Sequence, residues 1–215
     1  MAAVRFPFVA VSLVFMSGAI QSSSDLTDWL EFDLCASLRG EIWRPLTGHI
    51  CHYNRSHFVG DVAAFLVWAS AVELLSRRML VAALAGTPLV LAAWLFLTGT
   101  PPLVYRGLSA IDCALTIQLL TVAFLSEEAR RRVGLRVALV GMFVIIVLKS
   151  GYEFATGHAI LAPELGANVR LLPAAHVVGV LVGVGTAFWQ APRTRRAGLI
   201  LQCTFPRLFP ASSKT

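Results

Sequence analysis

Six runs of apolar residues, each ending at a polar or basic segment, constrain the fold of this chain more than any other feature. The runs approach the length of about 20 residues that an α-helix needs to cross the hydrocarbon core of a bilayer. Charged residues make up only 14% of the 215 residues, whereas soluble domains carry about a quarter. The sequence therefore predicts an all-α, polytopic membrane protein with six spans, at 6–21, 57–76, 80–97, 109–126, 134–152 and 172–190.

The positions of Lys and Arg predict the orientation, because cytoplasmic loops carry an excess of these residues. Twelve of the eighteen lie on the side that holds both termini, and six lie on the other side. We therefore expect both termini in the cytoplasm and the two long loops, 22–55 and 153–171, on the outer side. A nucleic-acid partner is not expected, because the net charge of +6 comes from clusters that follow the apolar runs and forms no basic binding face.

Residues 1–190 are expected to form the membrane domain, followed by a basic cytoplasmic tail over 191–215. Ser17-Gly18-Ala19, after Arg5 and a short apolar core, also fits a cleavable signal peptide. In the first outer loop, apolar residues at helical spacing alternate with acidic ones and predict one amphipathic helix, either along the outer leaflet or as an ordinary helix that caps the bundle. These apolar residues are Leu26, Trp29, Leu30, Leu34 and Leu38. Cys35 and Cys51 share that loop, where either a disulfide or two buried thiols are possible.

Polar side chains inside the spans are costly, so each is a candidate site residue. His57 and Asp61 open the second span, Ser109 opens the fourth, and His176 lies near the start of the sixth. Since even-numbered spans enter from the outside, all four are predicted at one shallow depth. Ser109 would lie among the unpaired N–H groups of a helix start, which can stabilise an oxyanion. Alternatively, it would form a helix-capping box with Asp112.

His176 shares one helical face with Gly179 and Gly183. Small residues on a helix face allow another helix to approach closely. A histidine on such a face can reach a serine on the neighbouring helix and act as its general base. The alternative is a structural histidine that is hydrogen-bonded to a backbone carbonyl.

Four short motifs follow one another along the chain: Trp-Arg-x-x-Thr at 43–47, His-x4-His-x3-Asp at 52–61, Gly-x-Ser at 107–109, and Ala-His-x2-Gly-x3-Gly at 175–183. This ordered set, together with the predicted topology, resembles the rhomboid intramembrane serine proteases across roughly residues 1–190. Trp-Arg-x-x-Thr-Gly-His and Tyr-Arg-Gly-Leu-Ser look most like the rhombosortase branch.

The resemblance implies a six-helix rhomboid bundle in which Ser109 and His176 form a catalytic dyad without a carboxylate. It implies oxyanion support from His57 and Gly107 and a structural role for His52, with no metal and no cofactor. Two positions depart from the family pattern, Ala110 after the serine and Asp61 in place of an asparagine. Asp61 would either be protonated and donate to the oxyanion or remain a carboxylate that holds the His57 ring.

The implied activity is cleavage of membrane-anchored protein substrates near the outer face of the inner (plasma) membrane, with the active site on the periplasmic side. The rhombosortase branch further implies substrates with a C-terminal Gly-Gly motif, an apolar helix and a basic end. The loop 153–171, with Gly157, Pro163 and Gly166, is a candidate movable cover. Two alternatives are a non-catalytic rhomboid relative that binds membrane clients and a metal-dependent membrane hydrolase. The candidate metal ligands of the latter are His49, His52, His57, His176 and Asp61.

Overall fold

The computed structural model describes residues 6–99, 103–157, 160 and 172–190, and these residues are almost entirely helical. The helices are α1 (Phe8–Gln21), α2 (Ser24–Leu30), α3 (Leu34–Leu38), α4 (Arg44–Thr47), α5 (Arg55–Leu75), α6 (Arg77–Thr98), α7 (Ser109–Phe124), α8 (Glu127–Arg131), α9 (Val133–Thr156) and α10 (Pro173–Gln190). A 3-10 turn at Gly48–Ile50 follows α4, and two short strands, β1 (Phe32–Asp33) and β2 (Val104–Tyr105), pair antiparallel.

Six of these helices coincide with the six predicted apolar runs. By length and composition α5, α6 and α9 are able to cross a membrane, and α1 with α2 would make a fourth span that is bent by 116°. The helices α7 and α10 are shorter and apolar. The all-α fold and the membrane character are confirmed, whereas the six crossings and their orientation stay predictions.

Helix α7 lies at the centre of the bundle, with most of its residues buried, and it packs against α5, α6, α9 and α10. By contrast, only 11% of the apolar segment of α9 is buried inside the protein, and side chains such as Ile145 and Leu148 are exposed. An apolar helix surface of this kind is covered by lipid in a bilayer.

Helices α7 and α10 run side by side in the same direction with their backbones in close contact. A Cβ on Gly179 would lie 2.2 Å from the Ala110 carbonyl oxygen, and one on Gly183 would lie 2.6 Å from that of Ala114. One turn further along, the Gln118 side-chain amide donates to the Thr186 hydroxyl at 2.7 Å. This register brings the first turns of α7 and α10 to the same end of the bundle, which we call the site end.

The first outer loop differs from the single amphipathic helix that the sequence predicts. Strand β1 separates α2 from α3, because Phe32 pairs with Tyr105 and Asp33 with Val104. Leu26, Trp29 and Leu38 are exposed, but Leu34 is buried. The prediction of one continuous helix is therefore wrong. The reason is a backbone pairing with a segment about seventy residues away, which local periodicity does not encode.

The loop is fixed to the site end by charged side chains. Arg106, which follows β2, donates to Glu31 at 2.5 Å and to Asp28 at 2.8 Å. Arg44 donates to the backbone carbonyls of Asp28 and Glu31, each at 2.9 Å. These contacts hold α2, α4 and the segment leading into α7 together.

Cys35, Cys51 and Cys113 are free thiols in this structure. Cys51 is buried and donates from its Sγ to the carbonyl oxygens of Thr27 and Thr47, at 3.7 and 3.6 Å. Burial raises the pKa of the Cys51 thiol to about 12, so it remains protonated and unreactive at neutral pH. Of the two alternatives for Cys35 and Cys51, the structure has the separate thiols.

We expect Gly179→Ala to destabilise the bundle, because the added methyl group would meet Ala110 O at 2.2 Å and Cys113 Cβ at 2.8 Å. Overpacking of this kind costs about 1–3 kcal/mol. Gly185→Ala on the same helix is the matched control, because nothing lies within 4 Å of its Cβ position and alanine favours helix. Thermal unfolding in detergent, followed by circular dichroism, should show a lower Tm for Gly179→Ala alone. Equal melting of the two variants would contradict the close packing of α7 on α10.

Candidate active site

The loop that precedes Ser109 bends at Gly107, where φ is +130°. A Cβ at this position would lie 2.9 Å from His57 Cε1 and 3.0 Å from Asp61 Oδ2. Only glycine combines this backbone conformation with so close an approach. The Gly107 N–H donates to the Gly48 carbonyl oxygen at 3.2 Å. Gly107 therefore carries the chain directly over His57 and Asp61 before α7 begins.

Ser109 is the first residue of α7 and is partly buried. The residue that caps this helix is Leu108, and no side-chain cap hydrogen bond is present. The alternative of a capping box between Ser109 and Asp112 is therefore wrong. The helix ladder starts at the bond from Asp112 N–H to Leu108 O, so the N–H groups of the first turn lie outside it. The hydroxyl of Tyr105 lies beside the Ser109 side chain and donates to Gly107 O at 2.9 Å.

Asp61 lies under this loop and acts as an acceptor. Its Oδ2 accepts the Leu108 N–H at 2.9 Å and lies 3.1 Å from His57 Nε2. One oxygen therefore faces the Leu108 N–H and an imidazole nitrogen, which is the environment of a hydrogen-bond acceptor. Of the two roles predicted for Asp61, this geometry favours the carboxylate that holds the His57 ring.

His52 is buried behind the same carboxylate, with its Nε2 3.6 Å from Asp61 Oδ2. Its Nδ1 lies 3.4 Å from the Ser17 hydroxyl of α1. Burial lowers the pKa of His52, so the ring stays neutral. On the other side, the Tyr53 ring stacks on His57 with centroids 5.7 Å apart. His57 is thus enclosed between a carboxylate and an aromatic ring.

His176 lies on the first turns of α10, and its Nδ1 is 2.6 Å from Glu153 Oε2 of α9. A carboxylate therefore contacts His176, a partner that the sequence analysis did not predict. Sequence reasoning missed Glu153 because it assigned residue 153 to the outer loop, whereas α9 continues to Thr156. The available signal was the i, i+4 spacing of Lys149 and Glu153 at the end of an apolar run.

Ser109 and His176 belong to adjacent first turns at the site end. Gly179, one turn after His176, contacts Ala110, the residue after Ser109. The structure contains no hydrogen bond between the Ser109 hydroxyl and the His176 ring, both of which are described. Catalytic contacts of this type are often loose without substrate. Since Nδ1 of His176 is paired with Glu153, Nε2 is the nitrogen that is left for Ser109.

The four described histidines do not gather into one metal-binding group. In the described ranges, no three His, Cys, Asp or Glu side chains form a cluster that could hold a metal ion. His49 is buried against the Tyr105 ring, with centroids 5.1 Å apart, and burial lowers its pKa to about 4. The arrangement gives no support to the metal-dependent alternative. Pro163 and Gly166 of the predicted cover lie outside the described residues.

Residues 39–193 match the family model of the Rhomboid domain. This segment is more than half of the 215-residue chain and contains every candidate site residue from His49 to His176. No curated protein matches the chain significantly. Rhomboid proteases act on transmembrane substrates within the bilayer, which agrees with the apolar helices of this protein. The chain belongs to the rhomboid family of intramembrane serine proteases.

Proposed function

We propose that this protein is an active serine endopeptidase in which Ser109 is the nucleophile and His176 its general base. The observation that carries the proposal is the parallel packing of α7 and α10, with Gly179 on Ala110. It aligns the first turn of each helix and so supports an encounter between Ser109 and His176. The N–H groups of the first turn of α7, which lie outside the helix ladder, add donors for the negative charge that develops.

The reaction follows the acyl-transfer scheme of serine hydrolases. Ser109 Oγ bonds to the scissile carbonyl carbon while its proton passes to His176 Nε2. The oxyanion of the tetrahedral intermediate is stabilised by N–H groups at the start of α7, and His57, which Asp61 holds, supports this site. The C–N bond then breaks, and His176 returns the proton to the leaving amine. Water repeats these steps on the acyl-enzyme and releases the second product.

The site end is proposed to face the outer side of the plasma membrane, with six crossings and both termini inside. Arg77 and Arg78 begin α6, and Arg130 and Arg131 end α8, so these cations lie at the opposite end from Ser109. Such an excess of arginine is typical of the cytoplasmic side. Water and an extended substrate segment would then reach Ser109 from outside. Residues 1–190 would be the membrane domain and 191–215 a cytoplasmic tail.

Ser109→Ala should abolish covalent labelling of the detergent-solubilised protein by a fluorophosphonate probe, because the nucleophilic oxygen is lost. His176→Ala should lower labelling and substrate cleavage about 10³-fold or more, without further loss in the double variant. Ser126→Ala is the matched control, since Ser126 lies beyond the far end of α7 and caps α8. Labelling that persists in Ser109→Ala would contradict the assignment. Wild-type protein that binds clients without being labelled would favour a non-catalytic relative.

Asp61→Asn should lower activity about 10-fold or more at every pH, because an amide replaces the carboxylate that His57 and the Leu108 N–H both contact. Labelling rates measured from pH 5 to pH 10 in parallel with Asp61→Ala would test this. Activity that is retained in Asp61→Asn and extends to higher pH would instead assign a donor role to a protonated Asp61. Wild-type rates in both variants would remove Asp61 from the site.

The substrate class is proposed from the resemblance to the rhombosortase branch. A C-terminal tail of Gly-Gly, an apolar helix and a basic end would present its outer juxtamembrane segment to Ser109. Glycine weakens the helix there and eases unwinding into an extended form. Deleting the gene should leave such tails uncleaved on a few surface proteins, as measured by mass spectrometry of their C-termini. Identical C-termini in the deletion strain and the wild type would refute this substrate class but not the protease assignment.

A further inference from the structure

Glu153 is a buried carboxylate that the family resemblance does not anticipate. It lies in the last turn of α9 and is 2% exposed. A charged side chain in a membrane helix is costly and is retained where it is paired or functional. The groups that Glu153 contacts therefore indicate its role.

Three donors surround the carboxylate. The Lys149 ammonium, one turn earlier on α9, donates at 2.8 Å, and the Ile160 backbone N–H donates to Oε1 at 3.1 Å. The third contact is the shortest, 2.6 Å from Oε2 to His176 Nδ1. Lys149 and Ile160 hold the carboxylate from residues near it in the chain. The third contact joins it to His176 on the neighbouring helix α10.

We propose that Glu153 is the positioning residue of a Ser109–His176–Glu153 triad. The carboxylate holds the proton on Nδ1 of His176, which keeps Nε2 unprotonated and able to accept the Ser109 proton. It also stabilises the imidazolium that forms when that proton arrives. This inference rests on the proposed function of Ser109 and His176.

Lys149 sets how strongly the carboxylate acts. The Lys149 side chain is 25% exposed and that of Glu153 is 3% exposed. Because the ammonium lies 2.8 Å from the carboxylate, it offsets part of the buried negative charge. Removing Lys149 would leave that charge to His176 alone and favour the imidazolium. Removing the charge of Glu153 would do the opposite. The two substitutions therefore shift the pH dependence of the reaction in opposite directions.

Other ionisable groups face the same region and stay constant in such variants. Asp112 lies in the first turn of α7, and Asp61 of α5 contacts the residue that caps this helix. His57 is held by Asp61. A shift of the pH profile in a Glu153 or Lys149 variant can therefore be assigned to the substituted residue, because these other charged groups are unchanged.

The chain supplies a close control for a buried glutamate. Glu73 of α5 is 6% exposed, pairs with Arg77 at i+4 and accepts the N–H groups of Val9 and Ala10. It shares the burial, the basic partner and the backbone donors of Glu153, but it lies at the opposite end of the bundle without a histidine. Glu73→Gln therefore measures the structural cost of neutralising a buried glutamate.

The test compares Glu153→Gln, Glu153→Asp, Lys149→Gln and Glu73→Gln with the wild type. The rate constant for labelling by a fluorophosphonate probe is measured from pH 5 to pH 10, and the Tm of each variant is recorded. We expect Glu153→Gln to lower the rate about 10²–10⁴-fold and to move the acid limb to lower pH. Glu153→Asp should recover part of the rate, and Lys149→Gln should move the acid limb to higher pH. Glu73→Gln should lower the Tm and leave rate and profile unchanged.

A folded Glu153→Gln variant with the wild-type rate and profile would overturn the triad. So would an equal loss of rate in Glu73→Gln. If Glu153→Gln does not fold, Lys149→Gln decides, since an unmoved acid limb refutes coupling of the carboxylate to the base. Wild-type protein that is labelled no better than Ser109→Ala is a different failure, because it removes the proposed protease function and the triad with it.

Discussion

The contact between α7 and α10 is the constraint on which the candidate site depends. Gly179 and Gly183 bring the two backbones so close that a methyl group fits at neither position. Helices in a membrane gain little from hydrophobic burial against each other, so close packing and interhelical hydrogen bonds hold them together. The bond from Gln118 to Thr186 adds such a polar contact deeper in the pair. The register of Ser109 against His176 is therefore fixed along the length of both helices.

Two imidazole–carboxylate pairs stand on either side of this helix pair, and each satisfies charges that lipid cannot solvate. Asp61 serves His57 and the Leu108 N–H, while Glu153 serves His176 and Lys149. A buried ionised group is tolerated only when its hydrogen bonds are made. These two carboxylates at the site end thus have partners, and Arg106 with its two acidic partners joins the outer loop to the same end.

Hydrophobic periodicity predicted the six helices well, because each must present apolar side chains to lipid or to its neighbours. The motifs around Ser109 and His176 were also visible, since each is a short local pattern, but the roles of these two residues stay predictions. Glu153 was not, because its meaning comes from a contact with His176 23 positions away across two helices. The break of the outer loop at β1 has the same origin in its pairing with β2. Contacts between distant segments are what a single sequence leaves unspecified.

The Asp61 carboxylate lies close to the proposed oxyanion site, where its negative charge would repel the charge that develops in the reaction. Two like charges about 6 Å apart at an effective dielectric of about 20 repel by about 3 kcal/mol, enough to slow a reaction more than 100-fold. A carboxylate near a developing oxyanion must therefore have its charge offset. Oδ2 accepts the Leu108 N–H and lies 3.1 Å from His57 Nε2. These two contacts offset part of the negative charge of Asp61. In this arrangement the carboxylate fixes the loop before Ser109, and the proposed oxyanion site is the first turn of α7, not Asp61.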